Sequence, residues 1–399
     1  MTTTPALPSA VLDLYSGILR APDDIDAIVE LARALAESGR CRPVNVNSAD
    51  VASSGGPSSL STLLCPLHLV AAGLTVPKIG VVGRPAGGVD VLGTVPGYRA
   101  ELSSDEFEHV LSTAHYAHTV AGQTWAPADA ILFRLRQEQG TQAIPALAVA
   151  SLLAKKLAGG VGVAGLEARV AAHGNFGATV SEARKNADLY CEVATKLGLL
   201  PVVILTDARV PFQPYLGRGE SLTALTLILR GQTQDPWLTS HAALCSKIAD
   251  IVTRCSRSSK AADGDPSLNA ASDAMEENLR AQGSSRADLD QRVELVASHS
   301  RTVVHADSDG FVDYRLDRLR ALLLATQSGS QPQTGKRSAY PDASGIRLLR
   351  APWQEVRRGE PVLEFRSTAE AETSTLKDLF TIRSTAAANP NEILEVVGP

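Results

Sequence analysis

Ser151 and Lys155 stand four residues apart in the run Ala150-Ser-Leu-Leu-Ala-Lys-Lys-Leu-Ala158, with Arg136 upstream of them. An i, i+4 spacing sets a hydroxyl and an ammonium on one face of a helix. The preceding residues, Ala143-Ile-Pro-Ala-Leu-Ala-Val-Ala150, are apolar, so that face starts in a core rather than in water. A serine, a lysine and an arginine converging there would form a donor-rich pocket suited to the carbonyls of a flat, uncharged heterocycle. On spacing alone the plainer alternative is the stronger one. It is a helix end with solvated cations and a serine bonded to its own backbone.

The wider pattern reverses that order. Ala150–Ala158 resembles the A-S-I-x-S/A-K-K-L-A segment of the thymidine and pyrimidine-nucleoside phosphorylases. The resemblance continues upstream through Ser53-Ser-Gly-Gly56, Pro66, Val70-Ala-Ala-Gly73, Val76-Pro77, Gly87-Gly88 and Val95-Pro-Gly97. Downstream it takes in Leu205-Thr-Asp207, Leu229-Arg-Gly231 and the Gly345-Ile…Val356-Arg-Arg-Gly359 stretch. It spans residues 20–365 in the family's order, and the base-site segment is its most specific part. The chain resembles a divergent member with a degenerate phosphate loop and a shortened N-terminus.

By that resemblance Arg136, Ser151 and Lys155 hold the carbonyls and ring N–H of a pyrimidine, with Arg136 and Lys155 as the catalytic pair. The gap from Arg136 to Pro145 is one residue off the family's spacing, which makes Arg134 the second candidate. Breaking an N-glycosidic bond leaves negative charge on the departing base. Cations at its carbonyls therefore gain interaction as the bond breaks. Phe176, in a segment that resembles the family's D-V-K-V-G-S-G-A-F turn, is the candidate to pack against the base, with a core aromatic as a nearly equal alternative. His173 in the same segment is expected to be a solvent-exposed loop histidine, with a substitute acid as the alternative, and His68 a core one.

The phosphate side departs from the family. Its K-H-S-T-G-G loop corresponds here to Val51-Ala-Ser-Ser-Gly-Gly56, so the cation and the imidazole are missing. Ser53, Ser54, Gly55 and Gly56 remain as phosphate or sugar contacts through a backbone N–H cradle. Ser61 falls where the family has a further phosphate hydroxyl. The loop that resembles S-G-R-G-x-G-H-T-G-G-T is contracted to Gly80–Val89 and retains Arg84. Inorganic phosphate is expected to bind poorly unless Arg84 turns inward, and Val51→Lys is the expected rescue. No metal or other cofactor is expected. Ser221 replaces the family's cation-binding glutamate beside Glu220, and Asp307, Asp309 and Asp313 match a calcium loop only loosely.

At 399 residues the chain can bury several cores, and 44% hydrophobic with 20% charged residues is ordinary for a globular protein. A net charge of -5 without a basic stripe argues against nucleic acid. The apolar run Leu63–Val76, broken by Pro66 and His68, is too short for a membrane span. Five scattered cysteines and the absence of a signal-like start fit a cytoplasmic protein.

Spacing predicts helices over Ser9–Leu19, Asp23–Gly39 and Ser181–Leu197, and strands over Lys78–Val82 and Pro201–Leu205. Ser256–Asn269 and Gln327–Ser338 read as solvated linkers, Gly345–Phe365 as short strands, and the last thirty residues as a loosely held tail. The fold class expected is α/β with a largely parallel or mixed sheet. A helical domain would comprise 1–50 and 125–200, an α/β domain 51–124 and 201–330, and a small barrel-sandwich-like β-rich module 340–399. The function implied is transfer of a pentosyl group from a pyrimidine nucleoside to phosphate. The damaged loop keeps two alternatives open. One is a non-phosphorolytic enzyme on a pyrimidine nucleoside or nucleotide, and the other is a non-catalytic pyrimidine-binding protein. The family's homodimer contact would be weakened by the missing N-terminal helical residues.

Overall fold

The computed structural model describes residues 6–174, 176–256, 268–327, 340–367 and 373–398. The central sheet is built from β1 (Asn45–Ser53), β4 (Val161–Val170) and β5 (Leu200–Asp207), all parallel. A parallel pair, β2 (Val76–Gly80) and β3 (Tyr116–Val120), continues it beside β1. The junction is a bridge between Ser48 and Thr75, in which the Ala49 N–H donates to Thr75 O at 3.1 Å. At the far edge β13 (Ile393–Val397) adds antiparallel to β5. The sheet is therefore mixed, and the expected loose tail ends as one of its strands.

Both faces of the sheet are covered, which is why its strands read as nearly continuous apolar runs. Adjacent residues of a strand point to opposite faces. Ala164, Leu166, Ala168, Val203 and Leu205 pack under the helices Ser9–Arg20, Ile25–Glu37, Pro127–Glu138, Pro145–Gly159 and Val180–Lys196. Val163, Val202 and Ile204 pack on the other face against Ser61–Ala71, Arg218–Leu229, Pro236–Cys255 and Leu268–Ala281. The N-terminal helices thus share one core with the sheet.

Local signals set the helix ends. Asp24 caps Ile25–Glu37 by accepting from the Ala27 N–H at 3.1 Å, and Thr179 with Glu182 forms a capping box on Val180–Lys196. Pro145 opens the base-site helix Pro145–Gly159, and Gly160 closes it at φ 66, a left-handed position suited to glycine.

The β-rich module draws on more of the chain than residues 340–399. β9 (Ser344–Leu348) and β11 (Pro361–Ser367) pair with each other, and they are flanked by β6 (Tyr215–Gly217) and β7 (Arg301–His305). β8 (Gly310–Tyr314) lies between β10 (Glu355–Val356) and β12 (Phe380–Arg383). The helix Leu316–Gln327 packs on this module through Leu316, Leu319 and Leu323. Residues 301–327 therefore belong to the module's core, because their apolar side chains have no other layer to enter. The predicted linkers fall largely on 257–267 and 328–339, outside the described residues. Among the described residues no helix is long and apolar enough to cross a membrane.

Candidate active site

A cavity of about 220 Å³ opens where the carboxyl ends of β1, β2 and β4 meet the helices Pro127–Glu138 and Pro145–Gly159. In open α/β sheets this is the usual place for a ligand. Arg136, Ser151 and Lys155 line it from these two helices, Ser53, Ser54, Gly55 and Gly56 from the end of β1 and the loop after it, and Arg84 from the loop after β2. Ser61 and Phe176 are not on the lining. Ser61 is fully buried and donates to Glu167 Oε2 at 2.5 Å, so its hydroxyl serves a carboxylate behind the wall. Phe176 is fully buried in the core beneath the N-terminal helices. Arg134, the second candidate, is exposed, whereas Arg136 is buried and faces the cavity.

The wall expected to take the base is held by buried polar contacts. Lys155 Nζ pairs with Asp129 Oδ2 at 2.6 Å, donates to Ser151 Oγ at 2.9 Å and also meets Ser151 O. Burial pushes the lysine's pKa down while the Asp129 charge opposes it. Arg136 donates through Nη1 to Leu147 O and through Nη2 to Gln142 O, each at 3.1 Å. Its Nε has no partner although the residue is only 3% exposed. A guanidinium carries five N–H groups. Arg136 therefore keeps donors that no described acceptor engages.

The side expected to take phosphate is more highly charged than its sequence suggests. Arg84 lies with its guanidinium carbon 4.7 Å from the centre of the Phe133 ring, lining the cavity. Burial and the like charges of Arg320, Arg136 and Arg169 push it down to about 10. Arg169 pairs with buried Glu167 at 2.9 Å and reaches Gly55 O at 2.7 Å, fixing the glycine loop. Gly55 and Gly56 take φ 95 and 124, values that glycine adopts without strain. Lys78 and Lys156 share Asp50 behind the loop. Burial alone would raise the Asp50 carboxyl, but the Lys156 and Lys78 charges outweigh it and hold it at about 2.

The structure also shows why position 51 cannot carry the missing lysine. Asp50 and Ala52 face the cavity, whereas Val51 points through the sheet and is fully buried in the opposite core. Strand alternation sets this. The expected rescue by Val51→Lys is therefore withdrawn.

Sequence reasoning missed His118 and Arg320, as it missed Lys78, Lys156 and Arg169, and it expected His173 in solvent. His118 of β3 reaches the cavity from the neighbouring strand, with Nδ1 2.9 Å from the Tyr116 hydroxyl. Burial, with the Lys78 charge, depresses it to about 3, so it is neutral near pH 7. His173, expected in solvent, lines the cavity and is pushed down to about 4 by burial and by Arg169 and Arg320. Arg320 enters from the helix Leu316–Gln327. The only sequence signal for His118 was its place near the end of a strand; Arg320 gave none, because it belongs to the β-rich module.

Glu220 and the three aspartates are occupied elsewhere. Glu220 is held by Arg366 at 2.7 Å and by Arg301 at 3.3 Å, tying Arg218–Leu229 to β11 and β7. Asp309 accepts from the Arg358 N–H, Asp313 pairs with Arg383, and Asp307 accepts from Ser308.

Comparison with known proteins adds descent to this geometry. The chain is 27% identical over 327 residues to thymidine phosphorylase of Mycobacterium tuberculosis, covering 80% of this chain and 73% of the relative. It is 23% identical over 341 residues to pyrimidine-nucleoside phosphorylase of Geobacillus stearothermophilus, covering 83% and 77%. Thymidine phosphorylase of Agrobacterium fabrum is 31% identical over 214 residues, covering 52% and 48%. Relatives at 23–31% identity that are thymidine or pyrimidine-nucleoside phosphorylases, two of them matched over most of this chain, support a divergent member of that family. No family model matches it. Among solved structures, anthranilate phosphoribosyltransferase from Saccharomyces cerevisiae is similar with a TM-score of 0.44 and 11% identity, covering 68% of this chain and 80% of that one.

Proposed function

We propose that the protein breaks the N-glycosidic bond of a pyrimidine nucleoside and passes the pentosyl group to phosphate. The observation that carries this reading is one cavity with uncharged-base donors on one wall and surplus cations on the other. In the reaction the bond from C1′ to the base nitrogen breaks, and its electron pair leaves with the base. A bond then forms from C1′ to a phosphate oxygen. The spare N–H groups of Arg136 and the Ser151 hydroxyl would meet the base carbonyls. The charged Arg136 bonds strengthen as negative charge collects there, which lowers the barrier, whereas the neutral Ser151 bond serves mainly to hold the base. Lys155, kept charged by Asp129, adds to the same field. Two charge-assisted contacts of roughly 1.5–3 kcal/mol each give an acceleration on the order of 10²- to 10⁴-fold.

The test is incubation of the purified protein with uridine or thymidine, with and without phosphate, and chromatography of free base and sugar product. Phosphate-dependent release of base with a pentose 1-phosphate is the expected result. Release of base and free pentose without phosphate would replace this reading with a hydrolase. Nucleoside binding without any turnover would replace it with a pyrimidine-binding protein.

A further inference from the structure

Seven cationic side chains line the cavity, but the ion pairs that engage them involve only three carboxylates, Asp50, Asp129 and Glu167. Arg84, Arg136 and Arg320 have no ion pair among the described residues. Arg136 at least donates to two carbonyls. The guanidinium groups of Arg84 and Arg320 have no hydrogen-bond acceptor there at all.

The backbone around Arg84 is nevertheless fixed. The N–H groups of Gly83 and Arg84 donate to the two oxygens of Asp90 at 3.0 and 3.1 Å. Arg218 donates to Arg84 O at 3.2 Å and pairs with Asp90 at 2.8 Å. At Gly87 a Cβ would lie 2.6 Å from the Asp90 carboxylate and 2.9 Å from Arg84 Cβ, so the loop's close turn depends on glycine there. The loop is thus held while its charged tip is left free, over the Phe133 ring and inside the cavity. Like charges converging on one partly buried space weaken each other unless an anion joins them.

The glycine loop after β1 has the complementary property. Gly55 and Gly56 both take positive φ, and neither N–H has an acceptor among the described residues. Backbone N–H groups without a protein acceptor are available to an anion.

We propose that Arg84 and Arg320 together form the binding site for a phosphoryl dianion, taking over the charge that Val51 and Ala52 no longer supply. Arg320 comes from the β-rich module, so the module contributes directly to the active site. The inference deepens the proposed phosphorolysis, in which the dianion is the acceptor. The same chemistry is offered by a 5′-phosphate on the nucleoside, and binding measurements separate the two sources.

The experiment is isothermal calorimetry on the full chain with inorganic phosphate, uridine 5′-monophosphate and uridine as separate ligands. Wild type, Arg84→Gln, Arg320→Gln and, as a control at an exposed position off the lining, Arg134→Gln would be compared. Melting temperatures would confirm that each variant is folded. Losing one charge-assisted contact should weaken phosphate binding roughly tenfold to a hundredfold in each of the first two variants. Arg134→Gln should bind as the wild type does. If phosphate binds weakly but the monophosphate binds well, uridine does not, and both arginine variants lose that difference, the dianion is the substrate's own. Phosphate and monophosphate affinities unchanged in Arg84→Gln and Arg320→Gln would overturn the proposal, as would a wild type that binds neither. Arginine-dependent phosphate binding without nucleoside turnover would keep this site and remove the phosphorolytic reading. Turnover with arginine-independent phosphate binding would do the reverse.

Discussion

The two walls of the cavity are built on opposite plans. The base wall is local: Arg136, Ser151 and Lys155 come from two consecutive helices, and Asp129 on the first of them pairs with Lys155. The phosphate wall is assembled from segments far apart in sequence, with Arg84 from a loop after β2, Arg169 from β4 and Arg320 from the helix Leu316–Gln327. A local wall can be retained as a motif, since one helical turn fixes the spacing of its groups. A dispersed wall can lose a residue in one segment and regain its charge from another without leaving any motif.

This difference can be tested first where the largest effect is expected. Asp129 is fully buried, with one oxygen on Lys155 and the other without a partner. Lys155→Ala leaves that carboxylate uncompensated, so it should cost about 3–5 kcal/mol of stability as well as nucleoside binding. Denaturant melts and calorimetry with uridine would measure both. The double variant Lys155→Met with Asp129→Asn should recover much of the stability and none of the binding. Normal stability and normal turnover in Lys155→Ala would show that the local wall does not depend on this pair.

The phosphate wall makes the opposite demand, because there a residue's face matters more than its place in a motif. Val51→Lys would drive an ammonium into the core formed by Leu63, Leu67 and Val163, at a cost of several kcal/mol, and would not raise phosphate affinity. Ala52→Lys, on the same strand but facing the cavity, should raise it and leave the fold intact. Denaturation and phosphate titration of the two variants side by side would decide the matter. Higher phosphate affinity in Val51→Lys would mean that the strand end turns over in solution.

The same contrast explains what could be read from the sequence. The helix over Ser181–Leu197 and the strand over Pro201–Leu205 were visible because apolar spacing and a capping box act within one element. Observed as Val180–Lys196 and Leu200–Asp207, they differ only at their ends. The strands at 301–305 and 310–314 were not recognised as part of the β-rich module, because strand pairing across fifty residues has no local signature. Phe176 was offered as a base-stacking residue from its motif. Whether an aromatic ring stacks on a ligand or fills a core depends on layers the motif does not contain. His118 and Arg320 went unnoticed for a related reason: each is made functional only by the element that folds beside it.

The smallest expected effect returns to the base wall. Ser151 Oγ accepts from Lys155 at 2.9 Å, and its own proton is free to point at a base carbonyl. In Ser151→Ala the lysine keeps Asp129 and the Ser151 backbone carbonyl, which residue 151 retains whatever its side chain. The charged network therefore survives, and the melting temperature should stay close to that of the wild type. What is lost is one hydrogen bond from a neutral donor, worth about 1 kcal/mol, or roughly fivefold in nucleoside affinity. Steady-state kinetics with uridine should show this mainly in KM, since a neutral donor bonds the base in both ground and transition states. A loss of hundredfold or more in kcat would mean that the hydroxyl meets developing charge, giving it a catalytic role equal to the cations beside it. No change in either parameter would mean that the base lies against Arg136 alone and that the i, i+4 pair serves only the helix.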